Sequence, residues 1–250
     1  MITTHPKYKQ MSPRDLQYKL MLPDNRTPAQ YIIALHGFGG SMESGTIAAL
    51  AERLTAHETA VLAFNLPGHG SDTQAELFSV QNCIRDFQDA AGMMQTHCPD
   101  AAWRGVFATS FGGYIALNAL PMIPDSVRIV LRAPAVNMAD VFARIVSEHC
   151  TMQEYARSGS IELGFSRKIK VPFAFYRELQ KNDVFTQDHD REMLLIHGGS
   201  DEVVLPADTD AFCKRNPKIR QITVAGAKHR LTDGNEMQQV VDAAAEWLLR

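Results

Sequence analysis

The chain contains little cysteine and no long apolar run. Four cysteines occur among 250 residues, and their spacing fits neither a zinc site nor a CxxC redox pair. We therefore expect reduced thiols, mostly buried as small apolar side chains. No segment approaches the roughly 20 apolar residues of a membrane-spanning helix. Residues 1–15 also lack the apolar stretch of a secretory signal. These absences predict a cytoplasmic protein without a membrane span.

An excess of either charge is also absent. The formal net charge is -3, from 25 basic and 28 acidic residues. Proteins that bind nucleic acid generally carry a basic face, so we expect no nucleic-acid partner. With 45% apolar and 21% charged residues, the composition is that of an ordinary globular chain. No Gly-, Ser- or Pro-rich linker divides the chain, which predicts one domain over residues 1–250.

Short apolar runs alternate with longer amphipathic stretches, a pattern typical of βαβ units and a mostly parallel sheet. The runs are residues 31–35, 60–64, 105–108, 129–131, 193–196 and 219–224. Most are continuous, as expected for strands covered on both faces. Residues 16–22 alternate instead and predict an antiparallel edge strand. Helical spacing of apolar residues predicts helices over 46–56, 79–97 and 235–250.

One interval, residues 135–190, interrupts this alternation. A structureless loop of that length is uncommon in a compact domain. Helical patterns at 139–149 and 172–182, with a hairpin around Gly164, predict an inserted cap over residues 136–188. Its aromatic side chains either line an apolar pocket or form the cap's own core. The candidates for substrate binding are Phe142, Phe173, Phe175 and Tyr176, and Tyr155, Phe165 and Phe185 belong to the same group.

Ser110 lies where an apolar strand meets a helical pattern, in ATSFGG at residues 108–113. A serine on a tight strand-to-helix turn is lifted clear of the sheet. The amino end of the helix then favours the negative charge that develops in acyl transfer. Ala108 stands where the nucleophile elbow pattern G-x-S-x-G has its first glycine. Taken alone, this match is weak, and a helix N-cap would be the better interpretation of Ser110.

A glycine-rich turn, HGFGG at residues 36–40, follows the strand at 31–35. Such a turn allows a backbone N–H to approach a substrate oxygen closely. We assign the amides of Phe38 and Phe111 to an oxyanion hole. A phosphate-binding turn is the alternative, but the chain lacks the G-x-x-x-x-G-K-[ST] motif.

Two further candidate catalytic residues, an acid and a base to act with Ser110, follow predicted strands. Asp201, in GGSDEVV, can reach across the carboxyl edge of the sheet and orient a histidine, with Glu202 as the second candidate. His229, in GAKH at 226–229, is the histidine placed to reach the same edge. His36 and His197 lie in glycine turns and are assigned supporting roles.

In these motifs the sequence resembles the α/β-hydrolase family. The resemblance is carried by HGFGG at 36–40, NLPGHGSD at 65–72, ATSFGG at 108–113, IHGGSDEVV at 196–204 and GAKH at 226–229. Their order, Ser then Asp then His, is that of this family. The resemblance implies an α/β fold with a mostly parallel twisted sheet, flanking helices and a cap between two late strands. Ala108 departs from the family pattern, as does Thr109 where the family often has histidine.

Within the family, the chain is similar to small bacterial carboxylesterases, including cinnamoyl and feruloyl esterases, and to serine aminopeptidases and monoacylglycerol lipases. The resemblance implies a serine carboxylesterase that hydrolyses small-molecule esters through Ser110, Asp201 and His229, without a metal or cofactor. One alternative is an aminopeptidase that binds its substrate's amine through Glu148, Glu154 or Glu162. A thioesterase or acyltransferase with the same triad and a non-catalytic binding protein also remain open. The acyl and alcohol groups and the oligomeric state are not determined by the sequence.

Overall fold

The computed structural model describes residues 15–164 and 168–250. Seven strands form one sheet in the order β1-β3-β2-β4-β5-β8-β9. These strands are β1 (Tyr18–Met21), β2 (Gln30–Leu35), β3 (Thr59–Phe64), β4 (Ala102–Thr109), β5 (Arg128–Arg132), β8 (Met193–Gly198) and β9 (Ile219–Val224). The edge strand β1 pairs antiparallel with β3, and the other neighbours pair in parallel.

Helices cover both faces of this sheet. They are α1 (Gly45–Thr55), α2 (Val80–His97), α3 (Phe111–Asn118), α7 (Pro206–Arg215) and α8 (Glu236–Leu249). Ile32, Phe107 and Val130 belong to the apolar core beneath α1 and α8, whereas Ile33 and Leu131 belong to the core beneath α2 and α3. Successive residues of a strand thus enter different cores, which explains why the apolar runs are continuous.

The chain between β5 and β8 forms a separate layer of elements. It contains α4 (Met138–Ser147), α5 (Met152–Ser158), the hairpin of β6 (Ser160–Leu163) and β7 (Ile169–Pro172), and α6 (Phe173–Lys181). A carboxylate oxygen of Glu178 accepts a hydrogen bond of 2.7 Å from the amide of Val80, the first residue of α2. The ring of Phe175 lies 4.6 Å from that of Phe78. These contacts attach α6 to the helices over the sheet.

The structure confirms the predicted parallel sheet and the antiparallel edge strand. It adds α5 and α7, two helices that the apolar spacing did not indicate. Helix α5 begins with a capping box, in which the hydroxyl of Thr151 accepts from the amide of Glu154 and the Glu154 carboxylate accepts in return. It ends at Gly159, whose φ of 76° is left-handed. The T-x-x-E and glycine spacing was the signal available in the sequence.

In the two described ranges, no helix combines the length and the apolar character needed to cross a bilayer.

Candidate active site

Ser110 occupies the sharp turn between β4 and α3. Its φ of 50° and ψ of −116° are strained for a residue with a side chain, at a typical cost of about 1–3 kcal/mol. Neighbouring backbone holds this conformation: the Ser110 amide donates to the carbonyl of Arg132 at 2.9 Å. The amides of Tyr114 and Ala135 donate to the Ser110 carbonyl at 3.2 and 3.1 Å. The hydroxyl therefore projects from a turn that hydrogen bonds hold on both sides.

Close packing around this turn requires glycine at residue 112. A Cβ added to Gly112 would lie 2.5 Å from the carbonyl oxygen of His36 and 2.9 Å from the Cβ of Leu35. Helix α3 can thus lie directly against the end of β2. Ala108, in contrast, is fully buried within β4, so its methyl group is accommodated where the elbow pattern has glycine.

We expect Gly112→Ala to lower the free energy of unfolding by roughly 1–3 kcal/mol, because its methyl group would overlap the backbone of β2. Gly92→Ala is the matched control. Gly92 lies within α2, and a Cβ added there would have no neighbouring atom within 4 Å. That exchange should stabilise the protein by about 1 kcal/mol. Urea unfolding of both variants measures the difference; equal stabilities would contradict the packing argument.

Three side chains from distant segments form one hydrogen-bonded chain. His229 Nδ1 donates to Asp201 Oδ2 at 2.8 Å, and His229 Nε2 lies 3.0 Å from Ser110 Oγ. Because a carboxylate only accepts, Nδ1 carries the ring proton. Nε2 is then left to accept from the serine hydroxyl.

The carboxylate of Asp201 is buried and held in place. Its Oδ1 accepts from the amides of Val203 and Val204, each at 2.9 Å. Burial alone raises the pKa of this carboxyl. The hydrogen bond and charge of His229, with the two amides, outweigh burial and bring the pKa below its usual range. Asp201 is therefore ionised at neutral pH.

The position of His229 depends on contact between the end of β8 and the loop after β9. A Cβ added to Gly198 would lie 2.4 Å from the carbonyl oxygen of Ala227 and 2.8 Å from that of Lys228. The Ser200 amide also donates to the Ala227 carbonyl at 2.9 Å. Glycine at residue 198 thus lets the two loops that carry Asp201 and His229 lie side by side.

The segments that carry the predicted oxyanion donors, Phe38 and Phe111, border Ser110. A Cβ added to Gly37, the residue before Phe38, would lie 3.0 Å from Ser110 Cβ and 3.6 Å from Oγ. Phe111 is the first residue of α3, so its amide has no acceptor within the helix. Across residues 15–164 and 168–250, neither amide makes a backbone hydrogen bond. Both remain available to an incoming oxygen.

The side chain of His36 holds the glycine-rich turn through hydrogen bonds. Its Nδ1 donates to the Gly37 carbonyl at 2.8 Å, and its Nε2 accepts from the Leu66 amide at 3.1 Å. Burial of the ring lowers its pKa to about 3, and the neighbouring His69 contributes in the same direction. A neutral His36 therefore links the turn after β2 to the loop after β3.

Because of His36, we expect the free energy of unfolding to fall in acid. The unfolded chain binds a proton at His36 with a pKa of about 6.5, and the folded protein does so only near pH 3. From pH 7.5 to 4.5, His36 should therefore remove roughly 2–3 kcal/mol from the free energy of unfolding. In His36→Gln this contribution is absent, so the variant should lose less stability over the same interval. Urea unfolding at both pH values tests this, and equal losses would contradict it.

The four cap aromatics proposed for substrate binding differ in exposure. Phe142 and Phe175 are at most 1% exposed, and their rings lie 5.3 Å apart. Phe175 also lies 5.8 Å from the ring of Phe111, next to Ser110. Phe173 and Tyr176 are partly exposed. Tyr155 is buried, Phe185 is partly exposed, and Phe165 lies outside the described residues.

A cavity of about 310 Å³ lies beside the glycine-rich turn. Gly39, Gly40 and His69 contribute to its wall, and Ile169 of β7 borders it from the hairpin.

The acidic side chains considered for binding a substrate amine do not line this cavity. The Glu154 carboxylate is engaged in the capping box of α5, and Glu148 and Glu162 are exposed. Among the described residues, no group of three or more His, Cys, Asp or Glu side chains is arranged to hold a metal ion.

Arg132, at the end of β5, did not stand out in the sequence analysis. Its side chain is 6% exposed. Burial lowers the pKa of this guanidinium to about 10, while the Asp201 carboxylate opposes that shift. Arg132 is thus a buried cation near the carboxylate of Asp201. The available signal was a charged residue at the end of a buried apolar strand.

Comparison with known proteins supports this fold. Residues 26–155 match the family described as serine aminopeptidase, S33, and no curated protein sequence matches the chain. Est1E from Butyrivibrio proteoclasticus, solved with ferulic acid bound, has a TM-score of 0.72 at 23% identity, over 94% of this chain and 96% of that chain. The α/β hydrolase domain-containing protein 10 from mouse has a TM-score of 0.71 at 20% identity, over 92% of each chain.

A monoacylglycerol lipase from Paleococcus ferrophilus is also similar, with a TM-score of 0.67 at 17% identity, over 94% of this chain and 99% of that chain. At such identities these structures establish the α/β-hydrolase fold and leave the substrate open. The family match extends over more than half of the chain. This protein is therefore a hydrolase of the serine aminopeptidase S33 family within the α/β hydrolases.

Proposed function

We propose that the protein is a serine carboxylesterase that hydrolyses small carboxylic esters through an acyl-enzyme on Ser110. The observation that carries this proposal is the continuous hydrogen-bonded chain from Ser110 Oγ through His229 to the buried Asp201, at 3.0 and 2.8 Å. It meets the geometric requirement for a nucleophile, its general base and a group that orients the base.

In the first half of the reaction, His229 Nε2 accepts the hydroxyl proton as Ser110 Oγ bonds to the ester carbonyl carbon. The carbonyl oxygen becomes an oxyanion, which the amides of Phe38 and Phe111 stabilise as donors. The ionised Asp201 stabilises the imidazolium. The carbon–oxygen bond to the alcohol then breaks, and the alcohol takes its proton from His229. Losing one oxyanion donor lowers kcat by about 10²–10³ in comparable sites.

In the second half, water hydrolyses the acyl-enzyme. His229 accepts a proton from the water, the resulting hydroxide attacks the acyl carbonyl, and the same two amides stabilise the second oxyanion. Collapse releases the carboxylic acid and returns the proton to Ser110 Oγ. The protein ends each cycle in its starting protonation state.

The cap suggests where the substrate binds. In our proposal, residues 136–188 close over the site, with Phe173 and Tyr176 contacting the acyl group and Phe142 and Phe175 supporting them from the core. The partial exposure of the first pair and the burial of the second support this division. The ferulic acid bound to Est1E makes an aromatic acyl group a reasonable first choice.

Aminopeptidase activity is the second candidate, and the family description favours it. The triad would serve amide hydrolysis equally well, but such an enzyme needs an acidic side chain for the substrate's amine. Glu148 and Glu162 are exposed, and either could bind the amine only if the cap places the substrate next to it.

A substrate panel tests the proposal directly. It contains p-nitrophenyl esters from acetate to decanoate, methyl ferulate and an aminoacyl p-nitroanilide. We expect ester cleavage, with the acyl preference reporting the size of the pocket. Cleavage of the anilide alone would replace the esterase by the peptidase, and a folded protein that cleaves none of these compounds would overturn both.

A further inference from the structure

We propose that His197 is a positioning residue, which holds the Asp201 carboxylate in the orientation that His229 requires. The inference rests on the proposed function, because it concerns the acid of the same triad. His197 is the next-to-last residue of β8, four residues before Asp201. Its side chain is 1% exposed, and it is not part of the reaction described above.

The contacts of His197 converge on the turn that carries the acid. Its Nε2 lies 3.0 Å from the carbonyl oxygen of Val204 and 3.4 Å from Asp201 Oδ2. The amide of the same Val204 donates to Asp201 Oδ1 at 2.9 Å. Residue 204 therefore contacts both side chains, with its N–H on the acid and its carbonyl on His197. A shift of the His197 ring would move this turn and Asp201 together.

The hydrogen bond to Val204 also determines where the ring proton lies. A carbonyl only accepts, so Nε2 carries the hydrogen and His197 presents the positive end of an N–H dipole near Asp201 Oδ2. The ring's Nδ1 is buried and has no hydrogen-bond partner in the described part of the chain. Burial lowers the pKa of His197, which keeps the ring neutral. A neutral donor can orient the carboxylate without adding a second cation beside His229.

Other charged groups around the turn do not duplicate this contact. Arg132 acts on Asp201 from β5, but no ion pair within 4 Å joins them in the described chain. Asp210 of α7 acts on His197 at longer range, and its hydrogen bond goes to Gln221. Among the described residues, His229 and His197 are thus the side chains with a hydrogen-bond or ion-pair contact to Asp201 Oδ2.

The protein contains a matched control for a histidine that only supports the fold. His189 Nε2 lies 3.1 Å from the Val184 carbonyl, and burial lowers the pKa of this ring as well. Its side-chain contacts do not include the triad. Replacing His189 thus removes the same kind of histidine–carbonyl hydrogen bond without reaching Asp201.

The experiment compares His197→Leu with His189→Leu in the full-length protein, using the p-nitrophenyl ester that wild type cleaves fastest. We expect His197→Leu to lower kcat at least about fivefold, the rate equivalent of one lost hydrogen-bond contact, with KM nearly unchanged. His189→Leu should keep the wild-type kcat once corrected for its folded fraction. His197→Gln, which returns an N–H donor near the Nε2 position, should restore most of the rate. The shorter side chain in His197→Asn should not.

A spectroscopic measurement separates this inference from the esterase proposal. We expect the proton between His229 Nδ1 and Asp201 Oδ2 to give a far-downfield NMR resonance without any substrate. We expect it to weaken or shift in His197→Leu and His197→Asn, and to persist in His189→Leu and His197→Gln. A wild-type protein that hydrolyses no ester overturns the proposed function, whereas an unaltered resonance and kcat in both deficient variants overturn the role of His197. Equal losses in the His189 and His197 variants would show a purely structural role.

Discussion

Ser110→Ala should abolish ester hydrolysis while leaving the protein folded. In the proposed mechanism Ser110 Oγ, 3.0 Å from His229 Nε2, supplies the electron pair that forms the acyl-enzyme, and no other group replaces it. Loss of the serine in a comparable triad lowers kcat by about 10⁶. The side chain contributes little to packing here, since its one described hydrogen bond goes to His229. The measurement is kcat on the best p-nitrophenyl ester, with unfolding in urea as the test of folding.

Ser126→Ala provides the matched control for Ser110→Ala. Ser126 is exposed and precedes β5, at the end of the sheet opposite the triad. This variant should keep the wild-type kcat. Substantial ester hydrolysis by Ser110→Ala would contradict the assignment of the nucleophile, provided that wild-type contamination is excluded by repurification.

Asp201→Asn should produce the second largest loss, about 10⁴-fold in kcat, as the corresponding exchange does in a serine protease. Asp201 Oδ2 accepts from His229 Nδ1 at 2.8 Å and carries the charge that stabilises the imidazolium. An amide at this position removes that charge, and if its NH₂ faces the ring it favours the tautomer with the proton on Nε2. His229 would then be unable to accept from Ser110. Steady-state kinetics on the same ester measure the loss.

Glu202→Gln is the control for this second prediction. Glu202 is the neighbouring acid that the sequence offered as an alternative, and its side chain is exposed. Replacing it should leave kcat close to the wild-type value, as for other substitutions of exposed residues. A large loss in Glu202→Gln with an active Asp201→Asn would reverse the assignment of the acid.

Local patterns in the sequence predicted those features that depend on neighbouring residues. The continuous apolar runs predicted buried parallel strands, and the alternation at 16–22 predicted the edge strand β1. ATSFGG predicted a strand-to-helix turn, which the structure shows at Ser110 with φ of 50°. Each of these signals lies within about ten residues, where steric limits and burial act directly on the local conformation.

Contacts between distant segments could be predicted only in part. Their positions in the turns after predicted strands, together with the family resemblance, led to Ser110, Asp201 and His229, which the structure brings together across 119 and 28 residues of sequence. The proximity of Arg132 and His197 to Asp201 was not predicted: His197 was assigned only a supporting role in its glycine turn, and Arg132 was noticeable only as a charged residue at the end of an apolar strand. A lone histidine or arginine in a sequence fits many environments. Its partners emerge only when the strands that carry it are placed next to one another.

Most of the strands and helices, and their order along the chain, follow from the sequence, because period, capping and glycine spacing are local properties. Packing between distant segments sets which further polar groups, Arg132 and His197 among them, lie near Asp201 at the carboxyl edge of the sheet. Gly198 and Gly112 illustrate the reason: each permits an approach that an added Cβ would block at 2.4–2.5 Å from a carbonyl of another segment. Whether a Cβ fits at such a position depends on how the helices and loops pack against the sheet. A linear sequence does not show this.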